Sequence, residues 1–261
     1  MRLSMCQVDA FTDQVFGGNP AAVCPLESWL PDHVLQQVAM ENCVAETAYL
    51  VPMDAGFEIR WFTPEIEMDL CGHATLAAGH VLKNHLGYDA SPIRFQSNSG
   101  ELLVIVQEDL LTLDFPSRPP ELAEAPRIIL DGIGQEPIEI LKSRDYVLVY
   151  EDEEIIRRLE PNQIILNQIN LDPGGIIVTA PGNDVDFVSR FFTPQASIFE
   201  DPVTGSAHCS LIPYWAKKLD KVEMVALQLS QRGGKLYCRD LGERILIAGT
   251  AVTYLEGSIS I

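Results

Sequence analysis

Basic side chains are scarce. Lys and Arg number 18 against 37 Asp and Glu, a formal net charge of −19 over 261 residues. That balance leaves no basic patch for nucleic acid or for an anionic membrane surface. Its plain meaning is solubility. No uninterrupted apolar stretch is long enough to span a bilayer. No apolar core of a secretory signal follows Met1, so a cytoplasmic protein is expected. The six cysteines (Cys6, Cys24, Cys43, Cys71, Cys209, Cys238) form no C-x-x-C pair and read as free core thiols of a reducing compartment. The histidines lack the i, i+4 spacing of a helical zinc site, since His73 and His80 are seven apart and His80 and His85 five. No metal and no cofactor are expected. No G-x-S-x-G elbow is present either, which disfavours a hydrolase built on Ser206, His73 and Asp201.

What is present is a duplication. Arg60-Trp61-Phe62-Thr63-Pro64 is echoed by Arg190-Phe191-Phe192-Thr193-Pro194, about half a chain length later. Gly72-His73-Ala74 follows the first copy and Gly205-Ser206-Ala207-His208 the second. Each copy reads as strand, loop, glycine and a helix of small apolar residues. A repeat this long points to two related halves rather than to a solenoid. Two helix starts meeting across a cleft make a site for an anionic group. A content of 47% hydrophobic and 21% charged residues supports a full core for both halves.

Strand patterns dominate. They cover Ser4 to Phe11, Thr47 to Met53, Phe57 to Thr63, Ile93 to Gln96, Leu102 to Val106 and Leu110 to Phe115. Pro116-Ser-Arg-Pro-Pro120 is the clearest linker. Beyond it, strands are expected over Ile138 to Leu141, Tyr146 to Tyr150, Ile176 to Ala180, Val185 to Phe192, Val225 to Leu229, Lys235 to Cys238, Arg244 to Tyr254 and Ser258 to Ile261. Helices are expected over Pro31 to Asn42, Pro161 to Ile169, Ala74 to Leu86 and Ala207 to Leu219. The Ala74 helix is nearly apolar all round for two turns, so a curved sheet should wrap it. Pro213 should kink or break the last helix.

Four stretches carry candidate chemistry. In Asp69-Leu-Cys-Gly-His-Ala-Thr75, Gly72 lets a ligand approach the backbone, and His73 at a helix start should lean neutral. In Phe199-Glu-Asp-Pro-Val-Thr-Gly-Ser-Ala-His208, Asp201 and Ser206 either bind a ligand or cap the helix. Glu46, at the entry to an apolar strand, is a proton carrier if desolvated and an ordinary loop carboxylate if not. Gly17-Gly18-Asn19-Pro20 is a tight turn or a loop whose N–H groups touch a ligand.

Asp9-Ala-Phe11, Gly17-Gly-Asn-Pro20, Glu46-Thr47, Arg60 to Pro64, Cys71-Gly-His-Ala-Thr75 and Glu200 to Ala207 occur in one order. As an ordered set they resemble the phenazine-biosynthesis PhzF family, itself similar to diaminopimelate epimerase. The resemblance implies an α+β fold of two similar lobes related by a pseudo-two-fold axis, each a curved sheet around a central helix. In that fold the last strand crosses back, giving lobes of 1–116 plus about 252–261 and of 117–251, with the active site in the cleft between them.

The resemblance further implies a cofactor-independent isomerase acting on a small carboxylate, and a homodimer. Glu46 matches the glutamate that moves a proton on a dihydro-hydroxyanthranilate ring, and His73 and Asp201 match catalytic partners. Ser206, Gly72, Gly205, Gly18 and Asn19 would bind the substrate. The related epimerases use a pair of cysteines. Cys71 occupies the first place here, but Asp201-Pro202 fills the second, which disfavours a two-thiol racemase. A racemase using Cys71 and a non-enzymatic binder of a metabolite or protein remain the alternatives.

Overall fold

In the computed structural model, which describes residues 1–171 and 174–261, the chain folds into two compact units. The first holds Met1–Phe115 and Ile247–Ile261, the second Pro116–Leu246. The chain returns to the first unit within the strand Arg244–Gly249.

In the first unit the strand Arg2–Ala10 lies between Ala251–Ser260 and Asn19–Pro25, antiparallel to both. Asn19–Pro25 runs parallel to Glu46–Met53, which is antiparallel to Gly56–Phe62. Gly56–Phe62 is parallel to Ile93–Ser97, and Gly100–Gln107 and Leu110–Pro116 continue antiparallel. Two helices leave this sheet, α1 (Asp32–Asn42) and α2 (Gly72–Asn84).

The second unit repeats the directions. Glu139–Lys142 is antiparallel to Tyr146–Val149, which is parallel to Ile176–Pro181. That strand is antiparallel to Phe187–Phe192, then parallel Glu223–Gln228 and antiparallel Gly234–Asp240 follow. Its helices are α3 (Arg127–Ile133), α4 (Glu153–Arg158), α5 (Gln163–Leu166) and α6 (Gly205–Leu219). Both units are thus the α+β half expected from the duplicated motif, with α2 and α6 at the same point in the order.

Helix α2 is enclosed because its residues are small. Gly72 through Gly79 are all buried. The helix meets the strands at Arg2–Ala10, Asn19–Pro25, Glu46–Met53, Gly100–Gln107 and Ala251–Ser260. A Cβ on Gly79 would sit 3.1 Å from Val104 and 3.2 Å from Leu111, so glycine sets how closely the sheet approaches. In the second unit Trp215 of α6 stacks on Phe187 with ring centroids 5.8 Å apart, and its indole N–H donates to Thr179 Oγ1 at 2.9 Å.

Pro213 does not break α6, which runs from Gly205 to Leu219, so of the kink or break expected from sequence the break does not occur. A proline removes the N–H that would bond the carbonyl four residues earlier. That carbonyl belongs to Cys209, and the backbone N–H of Arg118 bonds it instead at 2.9 Å. The proline-rich segment after Phe115 therefore supplies the donor that α6 lacks.

Other differences are local. The helix expected over Pro161 to Ile169 shrinks to Gln163–Leu166, where Asn162 Oδ1 accepts from the Ile165 N–H. Helix α4 has clear end signals that went unread: Asp152 accepts from the Ile155 N–H, acids fill the first turn and arginines the last. Asn19-Pro20 opens a strand rather than closing a turn. Five of the cysteines are buried and free; Cys43 is free but exposed, on the left-handed residue that ends α1. Among the described residues no helix is long and apolar enough to cross a membrane.

Candidate active site

Glu46 is the first residue of Glu46–Met53, beside Ala21 of the parallel strand. The loop before it is tied down where Asn42 Nδ2 donates to Thr47 Oγ1 at 3.1 Å. Its side chain keeps only 15% exposure, which excludes the solvated-loop reading. His73, on the first turn of α2, is 4% exposed.

The two residues meet. His73 Nε2 lies 2.9 Å from Glu46 Oε2. The pair is in ion-pair contact without the alignment of a hydrogen bond, and neither buried atom has another partner. On the other edge of the ring, Asn19 Nδ2 lies 3.1 Å and Cys71 Sγ 3.6 Å from His73 Nδ1. Gly18 makes the Asn19 contact attainable. Its φ is +60°, and a Cβ there would fall 2.1 Å from the Ala10 carbonyl oxygen.

Burial opposes a charge on His73, but the Glu46 carboxylate in contact with its Nε2 outweighs it and holds the imidazole above its ordinary value. This corrects the expectation that the helix N-terminus keeps His73 neutral. A full carboxylate charge in contact outweighs a partial dipole charge. The Cys71 thiol moves up, first because it is buried and then because Glu46 is near. His73 and the Ala74 N–H only partly offset this. Cys71 is also the residue before α2.

In the second unit Asp201 sits on the short strand Glu200–Asp201, paired with Phe191. Thr204 Oγ1 donates to its Oδ2 at 2.5 Å. Gln228 braces both, donating to the Asp201 carbonyl at 2.8 Å and accepting from the Thr204 N–H at 2.8 Å. Thr204 precedes α6, and its own side chain makes no capping bond. Ser206 lies inside the first turn of α6, past the position from which a side chain caps it. Ser206 Oγ accepts from Arg144 Nη2 at 3.0 Å, and Arg144 is clamped by buried Asp145.

Glu46, His73, Asn19, Gly18 and Gly72 therefore gather in the first unit, and Asp201, Gly205 and Ser206 at the start of α6 in the second. Sequence reasoning missed Thr204, Gln228, Arg144 and Asp145. Only Thr204, beside Gly205 in the second motif, carried a local signal. It also missed that Glu46, Cys71 and His73 each bring a donor atom within 4.8 Å of the others, close enough to share a metal ion.

Residues 8–257 match the family model described as "Phenazine biosynthesis-like protein" (PhzC-PhzF). The chain belongs to the PhzC-PhzF family. An "uncharacterized isomerase" of Pseudomonas aeruginosa is 48% identical over 99% of both chains. A PhzF-family crystal structure from Enterococcus faecalis superposes with a TM-score of 0.96 at 44% identity, each chain fully covered. A hydroxyproline epimerase from Agrobacterium vitis, with bound trans-4-hydroxy-L-proline, shares the fold alone. Its TM-score is 0.62 at 9% identity, covering 99% of this chain and 92% of that one. Isomerase is thus a name that the PhzC-PhzF family already carries, and the family's epimerase-like fold is the one described above.

Proposed function

We propose that this PhzC-PhzF protein is a cofactor-independent isomerase that moves a proton between carbons of a small cyclic or unsaturated carboxylate. The single observation that carries the reading is the contact of Glu46 Oε2 with His73 Nε2, two buried polar atoms with no hydrogen bond. Unsatisfied buried groups are costly, and a substrate is the natural partner for them.

In the first half-reaction the Glu46 carboxylate takes a proton from an sp³ carbon conjugated with the carboxylate. The electron pair left behind spreads into the adjoining π-system. In the second, the Glu46 carboxylic acid returns a proton to a different carbon, so that no atom is gained or lost. His73, held towards its cationic form, stabilises the developing negative charge. The N–H groups at Gly72 do the same. Asp201, Ser206 and the N–H groups at Gly205 are proposed to hold the substrate's polar groups.

A racemase using Cys71 is the second reading, favoured by the approach of Cys71 Sγ to His73 Nδ1. Burial keeps that thiol protonated, which leaves it a donor and a poor base. The deciding experiment incubates a panel of cyclic and unsaturated carboxylates in deuterated water with wild type, Glu46→Gln and Cys71→Ala. Label uptake should fall by about 10²–10⁴ in Glu46→Gln and survive in Cys71→Ala. Uptake lost only in Cys71→Ala sinks the glutamate mechanism.

A further inference from the structure

Glu46, Cys71 and His73 combine a carboxylate, a thiol and an imidazole, the three ligand types that a borderline-soft divalent ion prefers. We propose that this cluster binds Zn²⁺, and that the bound ion silences the proton shuttle.

Three observations support the site. One donor atom from each side chain lies within 4.8 Å of the other two. The Cys71 Sγ to His73 Nδ1 separation is 3.6 Å. Two ligands of a tetrahedral zinc ion, with Zn–S of about 2.3 Å and Zn–N of about 2.0 Å, stand about 3.5 Å apart. Lastly, Glu46 Oε2 is buried without a hydrogen bond and is held only by its 2.9 Å ion-pair contact with His73 Nε2, a contact it would exchange for the ion by turning towards the Nδ1 edge of the ring.

Charge also fits. Binding releases the protons of the Cys71 thiol and the His73 imidazole, after which a thiolate, a carboxylate and a neutral imidazole balance the two positive charges of the ion. Glu46 keeps part of its side chain in solvent, and that edge gives the ion its way in. The cost is local: an ion on Nδ1 displaces the Asn19 Nδ2 contact and takes Glu46 away from Nε2.

Inhibition rests on the proposed role of Glu46, whereas binding does not. The ion occupies the electron pair with which Glu46 would accept a proton and fixes the imidazole beside it. Zinc is thus expected as a reversible inhibitor of this enzyme.

The test uses the full chain, stripped of metal with a chelator, and Co²⁺ as the probe. Cobalt bound to a thiolate shows a sulfur-to-metal charge-transfer band in the near ultraviolet. The band should appear in wild type, vanish on adding Zn²⁺, and persist in Cys43→Ser, which removes the exposed thiol. It should be absent in Cys71→Ser. Glu46→Gln, a second variant of the same shape, should weaken Zn²⁺ binding about 10- to 100-fold. No band in wild type, or a band unchanged in both Cys71→Ser and Glu46→Gln, overturns the site. With the band present, Zn²⁺ should abolish label uptake from any carboxylate that Glu46 turns over. Uptake unchanged or raised by Zn²⁺ overturns the inhibition alone. A missing band with normal, Glu46-dependent uptake overturns the metal site and leaves the isomerase standing.

Discussion

Arg190 grips Glu200 through two N–H···O bonds, Nε to Oε1 at 2.7 Å and Nη2 to Oε2 at 2.9 Å. The same arrangement recurs in the first unit, where Arg60 holds Glu67 at 2.6 Å through both nitrogens. Each guanidinium also lies 5.1 Å from a phenylalanine ring two residues on, Phe62 or Phe192. The repeated motif thus encodes a brace that fixes the loop leading to each central helix. Glu200 is the neighbour of Asp201, so the brace also sets where that carboxylate stands.

Replacing Arg190 by Lys should cost about 2 kcal/mol, because a point charge cannot reproduce the fork. Arg190 also donates to the carbonyls of Ile156 and Leu159, at the end of α4. Arg60→Lys should cost less, since its further partner Asp32 is exposed. Urea midpoints of the two variants check the order.

Arg118 should show a slowly exchanging backbone amide although it lies in a proline-rich segment, because it bonds Cys209 inside α6. Pro213→Ala introduces an N–H that competes for that carbonyl. Protection at Arg118 should drop, and stability should change by within about 1 kcal/mol rather than the ~3 kcal/mol typical of removing a helix-interior proline. Hydrogen exchange by mass spectrometry reads both.

His208 is fully buried, which lowers its pKa to about 4 despite the bond from the ring to the Thr204 carbonyl. The unfolded chain protonates this residue near pH 6.5, while the folded chain stays neutral until about pH 4. Stability should therefore fall as pH drops through that window, by about 2 kcal/mol between pH 7.5 and 5. His208→Asn, which keeps a donor near the Thr204 carbonyl, should remove that part of the slope. An unchanged slope in denaturant titrations at the two pH values contradicts the assignment.

Ser206 accepts from Arg144, which leaves the hydroxyl hydrogen available to an anion. Once a carboxylate is turned over, Ser206→Ala should raise its KM about 10-fold with kcat nearly unchanged. Arg144→Gln should shift KM in the same direction by a smaller factor. A drop in kcat with KM constant would instead place Ser206 in the chemical step.

Much of this protein is written locally. The duplicated motif, the small-residue runs at Gly72 and Gly205 and the alternating strands specify two like α+β units, because side-chain period and glycine placement act over a few residues. The ordered motifs also single out Glu46, His73, Asp201 and Ser206. What remained out of reach lies between residues far apart in the chain. The Glu46–His73 contact, the Arg144 bond to Ser206 and the Arg118 donor that rescues Pro213 each depend on which strand packs beside which helix. The charge state of His73 is of the same kind: its position at a helix start argued for a neutral ring, and the carboxylate that packing brings against its Nε2 edge reverses the sign.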